Sequence, residues 1–171
     1  EAVLHVTGKQ IFFDTSKGVG RASLLARRSG LDFKVLHLAR DPRGVLSSGM
    51  RHAENDATPA KRNRGWVRAH RAALRLRSYL PDDAYFLLRY EDLCARPTET
   101  FRELCASWGI ESFDVVSRVS TAPHHIIGNT MRLRPFTGFL LDERWRDVLS
   151  PQEIRACTRI TGGIAGALGY D

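Results

Sequence analysis

No apolar run in this sequence approaches the ~20 residues that a membrane-spanning helix needs, and no internal repeat or low-complexity tract is present. The first residues carry no signal-peptide pattern. Cysteine is scarce: Cys94, Cys105 and Cys157 stand at no metal-ligand spacing, and three thiols cannot all pair within one chain. A disulfide scaffold and a cysteine-built zinc site are thereby excluded. Cys105 and Cys157 fall on apolar helical faces and are expected as buried thiols, which leans towards a reducing compartment. Also missing is a glycine-rich phosphate loop. Gly8-Lys9 precedes a strand instead of following one, lacks the second glycine, and has no Ser or Thr after the lysine.

Lysine is rare as well, with 4 residues against 22 arginines. The net charge of +7 is local: Arg40 to Arg77 holds ten Lys and Arg against three Asp and Glu, and the rest of the chain is balanced. An anionic partner at one place follows more readily from this than a uniformly basic protein. With 171 residues, 43% hydrophobic and 26% charged, residues 1–171 read as a single globular domain.

Periodicity predicts the elements. Glu1 to Thr7 reads as the end of a helix closed by Gly8, and Gln10–Asp14 (QIFFD) as a first strand. GRASLLARRSG reads as a helix stopped by Gly30. Lys34–Ala39 (KVLHLA) is continuously apolar, as a strand covered on both faces is. A helix from about Pro42 to Arg51 follows, with Asp41 as N-cap and Pro42 at the first helical position. A long helix spans about Pro59 to Leu80, and a third strand Ala84–Arg89. Phe101, Leu104, Cys105 and Trp108 form one helical stripe before Gly109. Ser150-Pro151-Gln152-Glu153 is a capping box that opens the last helix. This order predicts an α/β fold, a parallel sheet flanked by helices.

In such a sheet, ligands bind outside the carboxyl ends of the strands. Three strand ends carry unusual chemistry: Asp14-Thr15-Ser16-Lys17, Arg40-Asp41-Pro42-Arg43 and Arg89-Tyr90-Glu91-Asp92. Arg40 and Ser48 stand eight residues apart, about 12 Å along a helix axis. They meet only through an anion, with the guanidinium lying along the helix, and its fork suits a phosphate. Ser47 is then a bystander and Arg43 the weaker contact.

LARDPRGVLSS resembles the 3′-phosphate-binding motif of sulfotransferases that use 3′-phosphoadenosine-5′-phosphosulfate (PAPS). FFDTSKGVGRASLLARRSGLDFKVLHLARDPR, LLRYEDLCARPTETFRELCASWGI, HHIIGNTMRLR and DERWRDVLSPQE are similar to further family segments in the same order, the last two to bacterial and carbohydrate-type members. The resemblance implies a P-loop NTPase-like sheet, here N-terminally incomplete because the 5′-phosphosulfate loop is not found. It implies that Arg40 and Ser48 hold the 3′-phosphate, that Tyr90 contacts adenine, and that Gly128, Asn129 and Arg132 belong to a loop closing over the nucleotide. It also implies that Lys17 stands by the transferring group, where an ammonium offsets charge on the leaving phosphate oxygen without a metal. A solvated turn lysine is the other reading of Lys17. Glu91 and Asp92 are expected to fix their own loop, and His124 and His125 have nothing that orients them.

The expected activity is transfer of a sulfuryl group from PAPS to a hydroxyl or amine, on a carbohydrate or small molecule. The alternative is a catalytically incomplete fragment that binds adenosine 3′,5′-bisphosphate or only an assembly partner. Arg64, Arg68, Arg71 and Arg75 recur at i, i+4, i+7 and i+11, either a solvated helix face or a track for an acidic glycan. Nucleic acid is not expected, because no known reader motif accompanies the charge. The implied compartment is the cytoplasm for a bacterial protein and the Golgi lumen for a eukaryotic one.

Overall fold

Two parallel strands fix the centre of the molecule. The structure, a computed structural model, describes residues 2–8, 11–15, 18–27, 32–51, 57–121 and 138–170. Strand β1 (Val35–Ala39) pairs in parallel with β2 (Tyr85–Arg89), Val35 opposite Tyr85 and Ala39 opposite Arg89. The chain therefore leaves both strands at one level, and Arg40 and Tyr90 emerge side by side.

Around this pair run α1 (Ala2–Thr7), α2 (Val19–Ala26), α3 (Pro42–Arg51), α4 (Pro59–Arg77), α5 (Tyr90–Ala95), α6 (Pro97–Ser107), α7 (Val115–Thr121), α8 (Trp145–Val148) and α9 (Pro151–Ala167). Helices α4 and α9 pack together over one sheet face, where Ala39, Trp66, Ala165, Leu168 and Tyr170 are buried and Leu87 packs against them. A second cluster, Leu46, Trp145, Leu149 and Cys157, ties α3 to α8 and α9. The other sheet face receives α6, with Phe86 edge-on to Trp108. Cys105 and Cys157 are buried free thiols, as their helical positions imply.

Local signals explain most helix ends. The Ser150 hydroxyl accepts from the Glu153 amide while the Glu153 carboxylate accepts from the Ser150 amide, a complete capping box. Gly109, at φ +65°, takes the left-handed turn that ends the α6 region. Helix α4 stops at Arg77, short of the expected Leu80, where single-turn bonds from the Tyr79 and Leu80 amides tighten the chain. The expected strand over Gln10–Asp14 is not found. Ile11 to Asp14 pair with no strand among the described residues, and Phe12 and Phe13 are 58% and 63% exposed. An apolar run forms a strand only where a neighbouring ladder accepts it. Gly30 and Gln10 lie outside the described residues.

Candidate functional site

The β1 end is built from four residues in a row. The Asp41 carboxylate accepts the Arg43 amide at 2.8 Å, capping α3 behind Pro42, and also takes Arg43 Nε at 2.9 Å and Nη2 at 2.7 Å. The Arg43 guanidinium then lies 4.5 Å over the Trp145 ring. Its charge is committed locally, which separates it from Arg40. The Trp66 indole donates to the Arg40 carbonyl at 3.2 Å, fixing the strand end to α4.

Arg40 lies down along α3. A methyl at Gly44 would stand 3.0 Å from Arg40 Nε, so glycine lets the guanidinium lie there without the few tenths of an ångström of shift that a side chain would require. The guanidinium sits 4.7 Å over the ring of Tyr90, the first residue past β2. Its Nη2 donates to the Asp142 carbonyl at 3.1 Å and pairs with the Asp142 carboxylate at 3.2 Å. Ser48 is half-buried on the same helix, and among the described residues its hydroxyl has no hydrogen-bond partner. Ser47, expected as a bystander, is buried at 1% exposure and accepts from Arg51 Nη1 at 3.1 Å.

Asp142 gathers three guanidiniums. Arg144 binds it in two-pronged fashion, Nε to Oδ1 at 2.7 Å and Nη2 to Oδ2 at 2.9 Å, and Arg51 Nη2 reaches Oδ2 at 3.3 Å. The Arg144 guanidinium first, with Arg40 adding to it, holds the Asp142 carboxyl far below the usual range against the opposing effect of burial. The Tyr90 hydroxyl donates to the Leu140 carbonyl at 2.9 Å and accepts from the Asp142 amide at 3.2 Å. A cavity of about 30 Å³ remains among Arg40, Gly44, Glu91, Asp142 and Trp145.

Glu91, expected to fix its own loop, lies in α5 and instead ties the end of β1 to the residues after α9. It accepts the Asp41 amide at 2.9 Å and the Tyr170 hydroxyl at 2.7 Å. Burial and the Glu91 carboxylate push the Tyr170 phenol well above its ordinary range. Beneath Arg40, His37 on β1 bonds through Nδ1 to the Tyr85 hydroxyl and through Nε2 to His70 Nδ1 at 2.7 Å. Burial and the neighbouring His70 lower His37 to about 4, and burial lowers His70 too.

The structure thus brings Arg40 and Tyr90 together, while Ser48 stands one turn beyond Gly44 on α3 with no hydrogen bond to either. Lys17, Gly128, Asn129 and Arg132 lie outside the described residues, as do His124 and His125. Arg51, Asp142 and Arg144 were not anticipated. Asp142 and Arg144 lie in the DERWRDVLSPQE segment, whose charge density is their signal, and Arg51 carries none.

Residues 32–114 match the model of the sulfotransferase family, a span that contains Arg40, Ser48 and Tyr90. Carbohydrate sulfotransferase 5 of Mus musculus is 30% identical over 169 residues, covering 82% of this chain and 42% of the relative. Two solved structures are similar. The sulfotransferase domain of the Synechococcus PCC 7002 olefin synthase has TM-score 0.65 and 25% identity, over 81% of this chain and 50% of that one. The sulfotransferase domain of the curacin biosynthetic pathway has TM-score 0.60 and 19% identity, over 81% and 54%. Residues 32–114 thus match the sulfotransferase family, and the chain shares the α/β fold of sulfotransferase domains. It spans 42% of the curated relative's length and about half of the two solved domains.

Proposed function

We propose that this chain holds the 3′-phosphoadenosine end of PAPS and takes part in moving its sulfuryl group to a hydroxyl or amine acceptor. One observation carries the reading. Arg40 leaves β1 beside Tyr90 at the end of β2, its guanidinium over the Tyr90 ring and against Gly44 of α3, the helix that also carries Ser48. A guanidinium and a hydroxyl on one helix suit the 3′-phosphate, and an aromatic ring beside them suits adenine. Gly128, Asn129 and Arg132 are assigned to the loop over the nucleotide by the family resemblance.

In the transfer, the acceptor oxygen or nitrogen attacks sulfur and gives up a proton as the bond from sulfur to the donor's phosphate oxygen breaks. Negative charge grows on that oxygen, and Lys17 is assigned the role of offsetting it. The reaction needs no metal in principle.

The acceptor side is read from α4. Arg64, Arg68, Arg71 and Arg75 are exposed on the face opposite Trp66 and Ala73, and the 19-residue helix holds no Asp or Glu. Like charges at i, i+4 weaken a helix by a few tenths of a kcal/mol each unless an anion is near. A carbohydrate bearing carboxylate or sulfate groups fits this ridge, and a carbohydrate sulfotransferase stands among the relatives. Arg68→Glu with Arg71→Glu is expected to raise the acceptor KM at low salt and leave nucleotide affinity alone. An unchanged KM removes the ridge from the account.

Calorimetry with adenosine 3′,5′-bisphosphate tests the nucleotide reading, which predicts binding that collapses in Arg40→Ala. Turnover of labelled PAPS then separates an enzyme from a chain that only binds nucleotide. Tight oligonucleotide binding without nucleotide affinity would contradict the reading.

A further inference from the structure

Two of the residues assigned to the nucleotide, Arg40 and Tyr90, are already engaged by one short segment, and that engagement has a chemical form. Three guanidiniums, from the end of β1, the last residue of α3 and the start of the α8 region, converge on the Asp142 carboxylate at 2.7 to 3.3 Å. A carboxylate held by guanidinium forks is the nearest a side chain comes to a phosphate in the same seat. On the adenine side, the Tyr90 hydroxyl is tied to Leu140 and Asp142, and its ring face is covered by the Arg40 guanidinium. The cavity beside this cluster, about 30 Å³, has room on the order of one or two waters and not for a phosphate group.

We propose that Asp142 is an internal stand-in for the nucleotide's phosphate, a latch that must leave the Arg40 seat before the 3′-phosphate enters it. The proposal rests on the nucleotide reading above. The charges give the exchange its direction. Arg40, Arg51 and Arg144 present three positive charges against two carboxylates, Asp142 and Glu91, the latter bonded to neutral donors, the Asp41 amide and the Tyr170 hydroxyl. A phosphate monoester near neutral pH carries close to two negative charges, so it satisfies the cluster better than the carboxylate it displaces. A nucleotide with a plain 3′-hydroxyl offers no such gain and leaves the latch in place. Asp142 therefore helps to set the demand for a 3′-phosphate. Its departure also frees the Leu140–Asp142 segment from Tyr90.

The test is affinity for adenosine 3′,5′-bisphosphate in the whole protein and in Asp142→Asn, with melting curves to show that both are folded. The variant keeps the side chain's shape and removes its charge, and its affinity is expected to rise about tenfold. Unchanged or weaker binding by the folded variant overturns the latch. The unaltered protein supplies a second readout. Exchange of the Asp142 amide, held by the Tyr90 hydroxyl, is expected to speed up when the nucleotide is added, and slower exchange there overturns the proposal. Should neither protein bind the nucleotide, the nucleotide reading falls, and inorganic phosphate judges the latch alone. Phosphate binding by Asp142→Asn but not by the unaltered protein sustains it, and binding by neither overturns it.

Discussion

The two strand ends carry the same device held in opposite ways. At β1, Arg40 lies 4.7 Å over Tyr90, and at β2, Arg89 lies 4.5 Å over Tyr170. Tyr170 is 5% exposed and part of the main core, delivered there by Gly169 at φ +78°. Arg89 Nε is buried and has no hydrogen-bond partner among the described residues, the Asp92 carboxylate standing 3.9 Å away. Arg40 is held instead by a carboxylate from the irregular segment before α8, 102 residues along the chain. An arginine fastened to the core contributes to the fold. An arginine fastened to a loop carboxylate has a partner that can be exchanged.

Substituting each arginine in turn breaks this contrast most directly. Arg40→Ala is expected to weaken adenosine 3′,5′-bisphosphate binding by about 100-fold, near 3 kcal/mol, with little change in unfolding free energy. Arg89→Ala is expected to do the reverse. It costs about 1–2 kcal/mol of stability in a urea titration, with affinity within about threefold of the unaltered protein.

The histidines under β1 separate the two ends by pH. His37 is held neutral, its pKa lowered from 6.5 to about 4. Between those values the unfolded chain binds more protons than the folded one, so stability rises with pH across the window. The contribution is complete above pH 6.5 and is lost as pH falls towards 4, about 3 kcal/mol in all. Urea titrations at pH 7 and 4.5 measure it, and His37→Gln is expected to flatten the difference.

Smaller effects divide the serines. Ser48→Ala is expected to lower nucleotide affinity about five- to tenfold, the worth of one hydroxyl bond, by calorimetry. Ser150→Ala, which removes the α9 cap, is expected to cost about 1 kcal/mol of stability and leave affinity alone.

What the sequence discloses about this molecule is what local chemistry decides. Asp41-Pro42 starts α3, Ser150 and Glu153 start α9, and the apolar run before Arg40 makes β1, because each signal acts within a few residues. The QIFFD run misleads because a strand also needs a neighbour, which no single segment discloses. Ser47 looked idle because its partner, Arg51, stands one helical turn further on and carries no motif. Arg51 and Asp142 are 91 residues apart and meet only because Leu46 and Trp145 pack α3 against α8. No local pattern encodes that meeting, so the carboxylate facing Arg40 is legible only in three dimensions. Arg43 shows the converse, since its pairing with Asp41 two residues away is a local matter.

The most direct measurement compares adenosine 3′,5′-bisphosphate with adenosine 5′-phosphate by calorimetry at one fixed salt concentration, in the unaltered protein and in Arg40→Ala. The account predicts a marked preference for the bisphosphate that disappears with Arg40. Equal affinity for the two nucleotides in the unaltered protein, or a preference that survives Arg40→Ala, would contradict it.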